Sequence, residues 1–148
     1  MQVKCTHNHI SAVNERLHSY AFDQDENGKI DITIDKIYEV YGTQENHLGK
    51  FFLVLTDELN NDMPWWMPAE LYELSDPTIP VGWITKDKVD SSGHKIVISS
   101  YPIYFDAEED IEDSTEKGYE VFWRDAEAKQ HPVRANIICI GEGNEAKM

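Results

Sequence analysis

The spacing of apolar residues changes along the chain. Ile10, Val13, Leu17 and Tyr20 recur at helical spacing, with Ser11 able to cap, which predicts a helix over residues 11–22. Ile30, Ile32 and Ile34 then alternate with Asp31, Thr33 and Asp35, the period of a half-buried strand. Residues 37–41 are rich in β-formers and end at Gly42, and the apolar run 51–56 reads as a strand buried on both faces. The polar loop between these two strands, about ten residues long, suits an antiparallel connection.

Short strands are also predicted at 2–9, 70–74, 95–99 and 103–105. From Ser114 the spacing of Tyr119, Phe122, Trp123 and Ala126 becomes helical again, and Pro132 stops it. A last strand is expected at 133–140, followed by a frayed tail. The pattern gives an α+β class: a small antiparallel sheet or SH3-like barrel with an N-terminal helix and an acidic C-terminal helical region. At 148 residues the chain is expected to be a single domain with an ordinary core.

Charge changes this picture most. Thirteen basic residues face 28 acidic ones, a net charge of −15. The excess is concentrated in residues 23–35, 57–76 and 106–127, and the middle segment has no basic residue. Such a field repels nucleic acid and anionic lipid and favours basic partners. A surface that serves solubility alone would mix the signs. No apolar run approaches the roughly 18 residues of a spanning helix, and residues 1–9 lack the apolar core of a secretory signal. Cys5 and Cys139 leave two options, a bond between the chain ends or reduced thiols, and the second suits the expected cytoplasmic location.

Candidate chemistry is sparse. Residues 23–31 match the opening of an EF-hand calcium loop, with oxygens on Asp23, Asp25, Asn27 and Asp31, the Lys29 carbonyl between them, and Gly at the sharp turn. The twelfth position is Ile34 instead of a bidentate Glu, and the same residues also make an ordinary turn. Cys5, His7 and His9 would share one face of an extended chain and are zinc-type ligands, one short of a structural set. No nucleophile elbow, metalloprotease helix or phosphate-binding glycine loop is present, and His47, His94 and His131 stand in polar loops without a companion pattern. The sequence therefore points to a non-catalytic protein with no cofactor; the alternatives are a Ca²⁺-binding module built on the 23–31 loop or a small enzyme of unrecognised type.

The most distinctive segment is Pro64-Trp65-Trp66-Met67-Pro68. Trp and Met are typical interface anchors, and flanking prolines limit the entropy lost on docking. Asp57, Glu58, Asp62 and Glu70 would form an acidic rim around an exposed indole. A second candidate surface is the stretch holding Asp106, Glu108, Glu109, Asp110, Glu112 and Asp113, which could meet a basic partner or serve as a solvated face.

The runs Lys36-Ile37-Tyr38-Glu39-Val40-Tyr41-Gly42, 51–57 and 64–74, with Trp83, resemble small bacterial proteins of SH3-like-barrel type. Some of those look like immunity proteins of polymorphic toxin systems. The resemblance covers residues 30–83 and loosely 104–122. It implies a protein that neutralises a cognate toxin by binding it, and it carries no set of functional residues. The expectation is a basic protein partner; the oligomeric state is left open.

Overall fold

Val3 and Cys5 are buried while Gln2 and Lys4 are half-buried, the alternation that makes Gln2–Cys5 strand β1. β1 is the centre of a three-stranded antiparallel sheet in a computed structural model that describes residues 1–18, 25–57 and 63–106. Its neighbours are β2 (Ile37–Glu39) on one side and β6 (Tyr72–Asp76) on the other, giving the order β2-β1-β6. A second, five-stranded antiparallel sheet runs in the order β5-β4-β3-β8-β7. It comprises β3 (Gly42–Asn46), β4 (Gly49–Val54), β5 (Trp65–Pro68), β7 (Ile84–Val89) and β8 (Lys95–Ser100).

The chain divides into two compact units, Met1–Ser100 and Tyr101–Met148. The first contains both sheets, which share one core. Val3 and Cys5 of β1, Tyr38 of β2, Phe52 and Val54 of β4, Met67 of β5 and Leu71 and Tyr72 before and within β6 all join it. The Tyr72 ring receives both Tyr38 and Phe52 edge-on, each at 6.1 Å between centroids. β4 is buried at all four positions from Phe51 to Val54, as its unbroken apolar run predicts. In the second unit the short helix α1 (Pro102–Asp106) follows Tyr101, and Tyr101 and Tyr104 are both buried.

The α+β assignment is overturned. Among the described residues the protein is almost entirely β, and helix is confined to α1 and three single 3₁₀ turns. The predicted N-terminal helix is absent from residues 11–18; its remainder, residues 19–22, lies outside the described set. Two 3₁₀ turns, Ile10–Ala12 and Glu15–Leu17, stand in its place, separated by Val13 in an extended conformation. The physical reason is local competition. The His9 ring accepts from the Ser11 N–H, and the Asn14 side chain accepts from the Arg16 N–H, so each side chain starts a fresh turn instead of letting one helix propagate. The apolar spacing still marks burial: Val13 and Leu17 are both in the core.

Other elements also moved. Residues 30–35 bury Ile30 and Ile32 but form no strand, because the chain turns back through Asp35 at φ 73°. The expected loop at 43–50 is strand β3 and a tight hairpin into β4. Trp65–Pro68 is a strand, with Pro68 tolerated because β5 is the sheet edge. The strand expected at 103–105 is helix α1, opened by Pro102. The predicted helix from Ser114 and strand at 133–140 lie outside the described residues.

Two glycines are dictated by packing. Gly28 adopts φ +83°, and a Cβ there would lie 2.7 Å from Ile10 Cγ2. Gly42 lets β3 approach β8, where a Cβ would lie 3.2 Å from the Ser99 carbonyl oxygen and from Ser100 Cβ. The buried Ser100 hydroxyl uses that closeness to donate to the Tyr41 carbonyl at 2.7 Å.

Candidate functional site

The tandem indoles stand on the edge strand β5, directly opposite β4. Trp65 pairs with Val54 and Trp66 with Leu53, so the two side chains project from opposite faces of the sheet. Both rings are half-buried and packed against the core, and neither is sealed inside it. The indole N–H of Trp65 is buried without a hydrogen-bond partner, so its polar edge is turned inward. Met67, the next residue, is fully buried and holds the strand down. Glu70 is exposed in the 3₁₀ turn Ala69–Leu71, and Glu73 is exposed on β6 immediately beyond.

Asp57, the first residue of the proposed acidic rim, is committed to its own fold. One oxygen accepts from the Lys36 ammonium at 2.7 Å, and the other accepts from the Thr33 hydroxyl at 2.6 Å and the Tyr38 hydroxyl at 2.9 Å. The Tyr38 oxygen in turn accepts from the Thr33 N–H, and the Asp57 N–H donates to the Asp31 carbonyl. This hub ties the turn at 31–36 to the end of β4. Burial works against the Asp57 charge, but the bonds from Lys36, Thr33 and Tyr38 outweigh it and hold the carboxyl below its usual range. Burial and the neighbouring carboxylate push the Tyr38 phenol up. Glu58 and Asp62 lie outside the described residues.

The calcium-like loop is closed upon itself. Asp25 Oδ1 accepts from the backbone N–H groups of Asn27 and Lys29, which hold its carboxyl below the ordinary range. The Lys29 carbonyl accepts from the Asp25 N–H, and the Asn27 carbonyl accepts from the His9 ring. Asp31 is exposed, and its carbonyl is used by Asp57. Asp23 lies outside the described residues. The described part is thus an Asx-type turn joined to residues 8–10 through the His9–Lys29 bridge.

Cys5, His7 and His9 do not converge. β1 ends at Cys5, whose buried thiol donates to the His7 carbonyl at 3.3 Å. The His7 ring bonds the Thr6 hydroxyl, and both His9 nitrogens are occupied, Nδ1 by Ser11 and Nε2 by the Asn27 carbonyl. Burial raises the Cys5 thiol above its usual range, with the nearby charges of Asp57 and Asp35 adding to the effect. Asp106 closes α1, and Glu108, Glu109, Asp110, Glu112 and Asp113 lie outside the described residues.

One constellation was not read from the sequence. His47 occupies the β3–β4 turn and His94 the β7–β8 turn; β3 pairs with β8, so these tips are neighbours. The two imidazoles stack with centroids 3.8 Å apart and planes inclined by 18°. Asp90 joins them: its Oδ1 accepts from the N–H groups of Ser92 and His94, and its Oδ2 lies 3.6 Å from His94 Nδ1. The His94 N–H, reinforced by that of Ser92, holds the Asp90 carboxyl below its usual range. Only the Asp90/His94 spacing within one turn was available as a sequence signal; His47 is brought in by strand pairing.

Comparison with protein-family models, with curated proteins and with solved structures finds no significant match to this chain. Among the described residues, no helix is long and apolar enough to cross a membrane.

Proposed function

We propose that this chain is a non-catalytic cytoplasmic binding protein that docks a basic protein. Neutralisation of a toxin, as an immunity protein does, is the most specific form of the reading. The observation that carries it is the placement of Trp65 and Trp66. Two adjacent indoles are held half-exposed on a sheet edge, within the one long segment, 57–76, that has six acids and no base. Large aromatic side chains on a rigid strand give contact area at low entropic cost. Exposed Glu70 and Glu73 supply the negative rim, and the net charge of −15 supplies long-range attraction for a cationic partner. Asp57 is committed to Lys36, Thr33 and Tyr38, and is not counted among the contacts.

The test is direct. The full chain is used to capture proteins from the source cell at low salt, and any captured protein is purified and titrated against it. The reading expects a basic protein that binds one to one, with an association rate that falls as salt rises. Reversing the exposed charges with Glu70→Lys and Glu73→Lys should slow association, and Trp66→Ala should speed dissociation. Recovery of no basic protein, or binding indifferent to all three substitutions, would count against it.

A further inference from the structure

We propose that His47, Asp90 and His94 form a binding site for a single divalent transition-metal ion of the zinc class. One ligating atom from each of the three residues falls within 4.8 Å of the others, and the rings are accessible from solvent. The donors are two imidazole nitrogens and one carboxylate oxygen. That set suits Zn²⁺, Co²⁺, Ni²⁺ or Cu²⁺, and is poor for Ca²⁺ or Mg²⁺, which require mainly oxygen.

The scaffold is built for the purpose in a specific way. Asp90 Oδ1 is pinned by two backbone N–H groups, while Oδ2 is the oxygen that faces His94. The carboxylate therefore has one oxygen to hold the turn and one to offer an ion, the division of labour that outer-shell bonds give to metal ligands. The turn itself is clamped by reciprocal bonds, from the Asp90 N–H to the His94 carbonyl at 2.9 Å and from the Gly93 N–H to the Asp90 carbonyl at 3.0 Å. His47 comes from a separate two-residue hairpin turn, so the third ligand is positioned by the β3–β8 ladder. In the stack the ring planes are nearly parallel, so their in-plane lone pairs run side by side. A tetrahedral ion with Zn–N bonds of about 2.0–2.1 Å places its nitrogens about 3.3 Å apart. Occupancy therefore swivels the two rings out of the stack and onto a common point, leaving a fourth position for water or an external ligand.

The experiment is calorimetric titration of the full chain, stripped with chelator, with Zn²⁺, followed by Co²⁺ absorption and NMR of the imidazole ring nitrogens. One ion should bind, and the ring signals of His47 and His94 should move while those of His9 stay in place. His47→Ala and His94→Ala should each weaken binding by at least about a hundredfold, at or beyond the upper end of the roughly 10–100-fold that loss of a supporting outer-shell group commonly costs. Asp90→Asn should also weaken it, and because the amide oxygen still accepts from Ser92 and His94, this variant keeps the turn. Melting temperatures in chelator verify that all three variants fold. Ca²⁺ should give no response. Failure to take up Zn²⁺, uptake unchanged in the three variants, or ring shifts confined to other histidines would overturn the site.

Discussion

Removal of the Asp57 carboxylate tests how the first sheet-bearing unit is held together. Asp57 side-chain accessibility is 19%, against 53% for its partner Lys36, so the ion pair itself is largely solvated and contributes at most about 1 kcal/mol. The larger effect comes from Tyr38, a buried residue whose hydroxyl loses its charged acceptor. A hydrogen bond to a charged group is worth about 1.5–3 kcal/mol, and the Thr33 hydroxyl contact adds less because it is exposed. Asp57→Ala is therefore expected to destabilise by about 2–4 kcal/mol. Asp57→Asn should cost less, since an amide oxygen still accepts from Tyr38. The assay is urea unfolding followed by tryptophan fluorescence, with the midpoint shifting and the slope unchanged.

The pH dependence has a defined sign. The folded carboxyl titrates below its unfolded value of about 3.9, so its stabilisation is complete above that pH and fades as pH falls through the folded value. The gap between the wild type and Asp57→Asn should accordingly close in acid. The raised Tyr38 phenol acts in the opposite direction: its contribution is complete below pH of about 10 and is lost only in stronger alkali. A double-mutant cycle with Tyr38→Phe should give a coupling of about 0.5–3 kcal/mol. An Asp57→Ala cost below about 0.5 kcal/mol, the range of an ordinary surface change, or no coupling to Tyr38 would refute the hub.

Gly28→Ala should destabilise by at least about 1–2 kcal/mol, because φ +83° disfavours a side chain and the new Cβ meets Ile10; Gly49→Ala, also at positive φ (+137°) but with nothing within 4 Å of the new Cβ, should cost less because it carries the backbone strain alone, and thermal melts separate the two. Met67→Ala, at a fully buried position against Phe52, should cost about 2–5 kcal/mol in the same urea assay. Cys5 should resist alkylation at pH 8 in the native protein and react once urea unfolds it, as mass spectrometry of the first peptide would show; rapid native labelling would contradict its burial and raised thiol.

What was legible in the sequence was burial more than element type. Val13, Leu17, Ile30, Ile32 and the run 51–54 are all in the core, as their spacing predicts. Their secondary structure was decided by groups that hydrophobic periodicity does not register, such as the His9 and Asn14 side chains that cut a helix into turns. β3 was unreadable because Gln44 and Glu45 lie in the middle of a sheet, where strand pairing satisfies the backbone whatever the side chains. β7 was unreadable because Ile84–Val89 is exposed at every position and shows no alternation. Prolines disguised β5, since an edge strand tolerates what an inner one cannot. The acidic segment and the indoles were visible from composition, but the commitment of Asp57 to Lys36, Thr33 and Tyr38 required the fold. So did the meeting of His47 with His94, whose turns are joined only through the β3–β8 ladder.

Hydrogen–deuterium exchange of the full chain, free and bound to its captured basic protein, tests the proposed docking surface most directly. Protection concentrated at residues 65–73, lost together with binding when Glu70 and Glu73 are reversed in charge, is the expected result. Protection confined to the β7–β8 hairpin, with residues 65–73 exchanging as in the free chain, would contradict the account.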